Sequence, residues 1–458
     1  MAGAPALRFL GAAGTVTGSM FVVTGSGGAV MVDCGLFQGE RRWRRLNWSQ
    51  SRVSPGDVDD VVLTHSHLDH CGYLPALVRR GWAGPVWATE GTRALAEIVL
   101  LDSAHLQEED ALHAQREGYS KHSQPQPLYR GPDVQRTMAL CRPTAYGSPT
   151  RLAGGALLTL HRAGHVLGSA SAHLEVDGHT VLFSGDLGRP HHPLLRAREA
   201  APAADTVVVE STYGDRSHPD AADHEVLADA VRRTVHRGGS VLVPAFAVDR
   251  TELVLLALAG LMSSGRVPPV PVFVDSPMAL ATLATYGRAD LADELLPGAF
   301  DEISSIPRLH TARTPEESAR LNRPAEPSIV ISASGMASGG RVVHHLRAML
   351  PDRDNTVVLT GYQTLGTRGR SLQDGAREVK MMGQYVPVRA EVVTDGGFSV
   401  HADADELVSW LTGMPAPPRM VYVVHGDADA SGALADRLRK TLDCAVVVPD
   451  MGERVLLS

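Results

Sequence analysis

Apolar residues in this chain come in short β-branched runs, several of which end on an ionisable or hydroxyl residue. Leu7-Arg-Phe-Leu, Val30-Met-Val-Asp, Val61-Val-Leu-Thr, Val181-Leu-Phe-Ser and Val207-Val-Val-Glu are too short for helices and stand between Gly-rich turns, which predicts strands. From about Thr92 to Glu117 the texture is helical, rich in Ala, Leu, Glu and Gln. Pro and Gly punctuate residues 125 to 155 and predict irregular structure there. Between about residues 215 and 390, strands and helices alternate. The strands are Val241-Leu-Val-Pro, Val272-Phe-Val-Asp, Ile329-Val-Ile-Ser and Val357-Val-Leu-Thr, with helices near Thr251 to Met262 and Val342 to Met349. Such alternation predicts right-handed βαβ units on a mainly parallel sheet. After residue 390 the first texture returns with Glu391-Val-Val, a helix from Ala402, and Val421-Tyr-Val-Val. The chain reads as α/β: a first domain over residues 1–210 and 391–458, split by an inserted α/β module over 211–390.

Composition changes this picture little. The chain has 458 residues, 44% hydrophobic and 21% charged, which fits a folded protein of more than one domain. No apolar run reaches membrane-spanning length, and the start Met1-Ala-Gly-Ala-Pro-Ala-Leu-Arg has no secretory pattern. The four cysteines, Cys34, Cys71, Cys141 and Cys444, are scattered, which predicts free thiols in a cytoplasmic protein. A net charge of −8 argues against coating nucleic acid by bulk attraction but leaves room for a local basic groove.

The chemistry concentrates at the end of the strand Val61-Val-Leu-Thr. There His65-Ser-His-Leu-Asp-His70 crowds three imidazoles and a carboxylate into six residues. His65 and His67 leave one face of an extended segment, and Asp69 and His70 open the next helix. These are ligands for zinc, manganese or iron, with no thiolate motif competing. Cys71, beside His70, is expected to point into the core. Further ionisable groups stand at strand ends or in glycine turns: Asp33, His165 in Ala163-Gly-His-Val-Leu-Gly-Ser, and Asp186 in Phe183-Ser-Gly-Asp-Leu-Gly.

Taken together, Asp33, His65-x-His67-x-Asp69-His70, His165 and Asp186 resemble the motif series of the metallo-β-lactamase superfamily. Glu210 in Val209-Glu-Ser-Thr-Tyr-Gly, His401 in Phe398-Ser-Val-His-Ala-Asp and His425 in Val423-Val-His-Gly-Asp resemble the motifs of its β-CASP branch. Gln107-Glu-Glu-Asp-Ala and Gly118-Tyr-Ser-Lys-His look like the cleavage-and-polyadenylation endonuclease type, in its stand-alone bacterial form. The resemblance covers nearly the whole chain and implies an αββα sandwich split by a β-CASP module. It implies two zinc ions, one on His65, His67 and His165, the other on Asp69, His70 and His425, with Asp186 bridging. Asp33 would orient a ligand histidine.

The activity implied is hydrolysis of single-stranded RNA by a hydroxide activated between two metals, leaving 5′-phosphate and 3′-hydroxyl ends. Cutting would be internal, with 5′-to-3′ trimming as a further mode. His401 is the candidate acid for the leaving oxygen, with Glu210 orienting it. In the inserted module, Ser334 and Gly335 of the loop Ser332–Gly340 are expected to offer backbone N–H groups to phosphate, and Arg368 and Arg370 to clamp it. The run Arg41-Arg-Trp-Arg-Arg45 suits single-stranded RNA and equally fits a solvated surface loop. A homodimer is compatible with the resemblance, and the lack of a membrane-length apolar run predicts no membrane partner. The alternatives are a β-CASP DNA nuclease, against which His425 counts because that type carries valine at the third motif, a small-molecule hydrolase, and a non-catalytic RNA-binding subunit, which would lack metal ligands.

Overall fold

The computed structural model describes residues 4–49, 53–117, 124–218 and 223–457. The Gly118-Tyr-Ser-Lys-His stretch and Met1 to Gly3 lie outside the described residues. The chain forms two compact units. The first comprises Met1–His192, Arg196–Ser217 and Val400–Ser458, and the second Pro193–Leu195 and His218–Ser399.

Two seven-stranded sheets build the first unit. In spatial order, sheet one runs Arg454–Leu456, Ala6–Phe9, Phe21–Gly25, Gly28–Val32, Asp60–Val62, Val86–Ala88 and Cys141–Pro143. Sheet two runs Ala445–Val447, Met420–Val423, Thr206–Val209, His179–Phe183, Ala170–Val176, Leu157–Arg162 and Thr150–Arg151. Because side chains alternate across a strand, an unbroken apolar run implies burial on both faces. Val62 therefore packs between the sheets with Phe9, Phe183 and Val208, while Val61 and Leu63 face the opposite way, toward Leu74, Leu77 and Leu100 of the covering helices. In sheet two, Val208 points inward and Val207 and Val209 outward, against Leu407, Leu411 and Leu434 of Ala404–Thr412 and Ala428–Thr441. The layers are helix, sheet, sheet, helix.

Residues 125 to 155 are not irregular throughout: Gly131–Leu140 is a helix and Cys141–Pro143 an edge strand. The Gly131-Pro-Asp sequence starts that helix, with proline in its first turn and the Asp133 carboxylate accepting the Arg130 N–H at 2.9 Å.

The second unit carries a six-stranded sheet, all parallel, in the order Leu309–Thr311, Val272–Val274, Ile329–Ser332, Val241–Pro244, Thr356–Leu359 and Glu391–Thr394. An antiparallel hairpin, Glu378–Met381 with Gln384–Pro387, stands apart from it. Glu391–Thr394, expected to open the returning segment, is instead an edge strand of this inserted sheet, in register with Thr356–Leu359. The unit accordingly extends to Ser399. No helix of the described residues is long and apolar enough to cross a membrane.

Candidate metal centre

In the first unit, strand ends deliver the ionisable groups to one place. Asp33 follows Gly28–Val32, His65 follows Asp60–Val62, and these strands pair in parallel, so their ends coincide. Asp186, Glu210 and His425 likewise follow His179–Phe183, Thr206–Val209 and Met420–Val423, three parallel neighbours of sheet two. His67 precedes the short helix Leu68–Cys71, which carries Asp69 and His70. Backbone bonds hold this turn in place: the Cys34 N–H donates to the His70 carbonyl at 2.7 Å, and the Ser19 N–H to that of Asp69 at 2.8 Å. A β-carbon at Gly35 would overlap the Asp69 carbonyl oxygen, so only glycine fits there. Asp33 and His425 hold left-handed backbone, at φ 59° and 48°, which non-glycine residues adopt uncommonly.

Two groups of side chains converge. Donor atoms of His65, His67, His165 and Asp186 lie within 4.8 Å of one another, as do those of Asp69, His70 and His425. His67 Nδ1 faces His65 Nε2 at 3.1 Å and His165 Nε2 at 3.3 Å. His70 Nε2 faces His425 Nε2 at 3.1 Å, and His425 Nε2 stands 3.4 Å from Asp69 Oδ2. Asp186 sits between the groups, with Oδ2 3.5 Å from His65 and Oδ1 3.2 Å from His70. It is buried, and Oδ1 has no hydrogen-bond partner. Imidazole nitrogens and carboxylates converging on shared points, with one buried oxygen unsatisfied, form a donor set that fits divalent cations.

Burial and charge divide the histidines. Burial, reinforced by the neighbouring histidines, pushes His65 and His165 well below the ordinary imidazole range, and burial also lowers His67. Burial opposes charging of His70 as well, but the Asp186 and Asp33 carboxylates outweigh it and raise that group well above the range. His425 is raised in the same way by Asp186 and Asp69, against its burial. For Asp186, burial works against ionisation, yet His425, His70 and His65 hold its carboxyl well below the usual value.

A third group joins Asp186, Glu210 and His401. His401 Nδ1 lies 3.3 and 3.2 Å from the two Glu210 oxygens. Those oxygens also accept the Leu187 N–H at 2.6 Å and the Thr212 N–H at 3.3 Å, which fixes the carboxylate and through it the ring. The His401 side chain keeps 18% of its surface exposed, against none for His65 and His165.

Asp33 lies behind His70, its Oδ2 2.7 Å from Nδ1, and also accepts the Thr64 N–H and hydroxyl. Cys71 is buried in the core on the helix side of sheet one and donates to the Ser66 carbonyl. The four residues expected to contact phosphate belong to the second unit. Gly335 leaves room for the Phe246 ring, which a β-carbon would strike, and its carbonyl accepts from Gln363. The Ser334 hydroxyl accepts the Ser338 N–H at 3.1 Å. Arg368 donates to the carbonyls of Ala337, Ser338 and Lys380, so it braces this loop, and Arg370 pairs with Asp374 at 2.9 Å. Sequence reasoning missed Thr64, whose hydroxyl also lies 3.1 Å from His65 Nδ1, and Thr212, whose hydroxyl lies 3.2 Å from His425 Nδ1. The only signal for Thr64 is its place between a strand and the first histidine.

Three family models match separate stretches: the metallo-beta-lactamase superfamily over residues 13–138, the Beta-Casp domain over 251–372, and the Zn-dependent metallo-hydrolase RNA specificity domain over 385–449. Ribonuclease TTHA0252 of Thermus thermophilus is 39% identical over 433 residues, which covers 93% of this chain and 94% of that protein. Transcription termination factor FttA of Methanocaldococcus jannaschii is 31% identical over 460 residues, covering 97% of this chain and 70% of that one. A crystal structure of a protein of unknown function from Enterococcus faecalis superposes with a TM-score of 0.56 over 99% of this chain and all of that one, at 13% identity, a likeness of fold alone. This chain is a metal-dependent hydrolase and belongs to the β-CASP branch of the metallo-β-lactamase superfamily.

Proposed function

We propose that the protein is a zinc-dependent ribonuclease, with two zinc ions per chain, that hydrolyses single-stranded RNA in the cytoplasm to leave 5′-phosphate and 3′-hydroxyl ends. Cutting is internal, with 5′-to-3′ trimming as a second mode. The observation that carries the reading is the placement of buried Asp186 between the two ligand groups, one of its oxygens left without a hydrogen bond. His65, His67 and His165 would hold one ion and Asp69, His70 and His425 the other, with Asp186 shared. When bound, the metal lowers the pKa of water and neutralises phosphodiester charge. The choice of RNA is supported by the name of the bacterial relative, a ribonuclease.

The remaining chemistry falls to the chain's own side chains. His401 is held by Glu210 through Nδ1, which leaves Nε2 to protonate the departing 3′-oxygen. Glu210 fixes the orientation of the ring, because its own oxygens are anchored by two backbone N–H groups. Asp33 orients His70, and Thr64 ties Asp33 to His65. In the second unit, Ser334 and Gly335 offer a small-residue loop to the RNA phosphates, with Arg368 and Arg370 beside it.

One oligonucleotide sequence, made as RNA and as DNA and labelled at either end, tests the reading. Wild-type protein should cut the RNA internally, lose activity on chelation and leave DNA intact, and His67→Ala should be inactive. Cutting of DNA alone would transfer the protein to the DNA nucleases of the branch, and cutting of neither would end the nuclease assignment.

A further inference from the structure

We infer that Arg41, Arg44, Arg45 and Trp48 form a binding surface for the backbone and bases of single-stranded RNA, fastened to the loops of the metal centre. The inference rests on the ribonuclease reading and adds a substrate surface to it.

The charge is out of keeping with its surroundings. The whole chain has a formal charge of −8, yet four guanidinium groups stand within five residues at Arg41, Arg42, Arg44 and Arg45. All four are exposed. Among the described residues Arg42 pairs with Glu40 at 3.0 Å, and no ion pair involves Arg41, Arg44 or Arg45. Three uncompensated cations so close together repel one another, and a polyanion removes that repulsion.

The segment is also held in a fixed shape. Trp43 stacks on the buried Phe37 ring, with centroids 5.9 Å apart and planes 15° from parallel, and the Arg42 guanidinium lies 4.9 Å from the Trp43 centroid. Asn47, itself buried, accepts the Phe37 N–H at 2.9 Å and donates to the Phe37 carbonyl at 2.8 Å. Because the clamp already fixes the segment, less conformational entropy is lost when the arginines and the indole engage a strand. Trp48, next in the chain, leaves 61% of its surface in water. An exposed indole beside unpaired guanidiniums is the pairing that receives an unstacked base and its phosphate.

The same segment begins at the metal centre. The Leu36 N–H donates to the Leu68 carbonyl at 2.8 Å and the Cys34 N–H to that of His70 at 2.7 Å. Phe37 packs over Gly18, where a β-carbon would meet its ring at 2.5 Å. Gly18 adjoins Ser19, whose hydroxyl lies 3.4 Å from His70 Nε2. Arg41 is five residues beyond Leu36, and five residues span at most about 18 Å. An RNA strand leaving the centre therefore reaches the arginines within a few nucleotides.

The test measures equilibrium binding of a fluorescein-labelled single-stranded RNA 20-mer to the full zinc-loaded chain over a series of salt concentrations. A His401→Ala background suppresses cleavage, and wild-type cleavage of the same RNA is followed in parallel. Replacing Arg41, Arg44 and Arg45 together by alanine should lower the slope of log affinity against log salt by about 2, since each lost phosphate contact removes about 0.7. Replacing the three by lysine should keep the slope, which also shows that the altered loop still folds. Trp48→Ala should weaken binding between about 5-fold and 100-fold with the slope unchanged. If the wild-type chain cuts this RNA while slope and affinity are unaltered in the alanine variant, the surface is not part of RNA binding and the ribonuclease reading stands. If the wild-type chain neither binds nor cuts the RNA, both fall together.

Discussion

What separates His401 from the other histidines of the site is the company its ring keeps. His65, His67 and His165 turn nitrogen toward nitrogen, whereas His401 turns Nδ1 toward a carboxylate and keeps part of its ring in solvent. His401→Ala should therefore cut kcat by about 10²–10⁴ with metal content unchanged, as measured by cleavage rate and elemental analysis on the same sample. A variant that turned over normally would remove His401 from proton transfer. Thr64→Val keeps the shape but deletes the hydroxyl that links Asp33 to His65, so metal affinity should fall by about 10–100-fold in a chelator competition. His65, His67, Asp69 and His70 were legible in the sequence because they are neighbours along it. Thr64 and Thr212 were not, since a hydroxyl carries no positional signature and takes its partner only from packing. Arg368 shows the converse: its charge points to phosphate, while the backbone carbonyls that hold its Nε and Nη1 come from packing that the sequence does not announce.

Among the elements, the buried parallel strands could be read because both faces of each are apolar, as in Val207-Val-Val and Ile329-Val-Ile. Glu391-Val-Val reads as a strand of the returning segment yet pairs within the inserted sheet, since a short run does not say which neighbour it joins. The helix Gly131–Leu140 was missed because Gly-Pro marks a helix start as readily as a break. In the helix Arg250–Ser263, Glu252 is fully buried and neither carboxylate oxygen has a side-chain partner. Burial first, and then the charge of Asp249, hold its carboxyl well above the ordinary glutamate value. The native state therefore keeps a proton that the unfolded chain releases, and stability falls as pH rises from the ordinary glutamate range through that raised value. Glu252→Gln should remove this slope. Chemical denaturation at pH 5 and pH 8 should show the variant gaining over wild type at the higher pH, and parallel curves would contradict the assignment.

At the scale of the molecule, the insertion was visible as a change of texture, while its limits, drawn at Ser217 and Ser399, depend on which sheet each strand joins. The candidate metal centre gathers its donor groups from segments far apart in sequence, with His70 and His425 separated by 355 residues. Metal held by both groups would tie the early strands to the late ones. Chelation should abolish cleavage and lower the melting temperature by roughly 5–15 °C, as followed by scanning calorimetry, with recovery on adding zinc. The same separation has a consequence for the chain while it is being made. His425 follows Met420–Val423, which pairs with Thr206–Val209, so its ligand group is complete only once that late strand has been made. At ribosomal speed, roughly 20–70 s pass between the appearance of His70 and that of His425. On the ribonuclease reading, a polypeptide still attached to its translating message has no complete centre throughout that interval, so a nascent copy cannot cut the transcript from which it is being made.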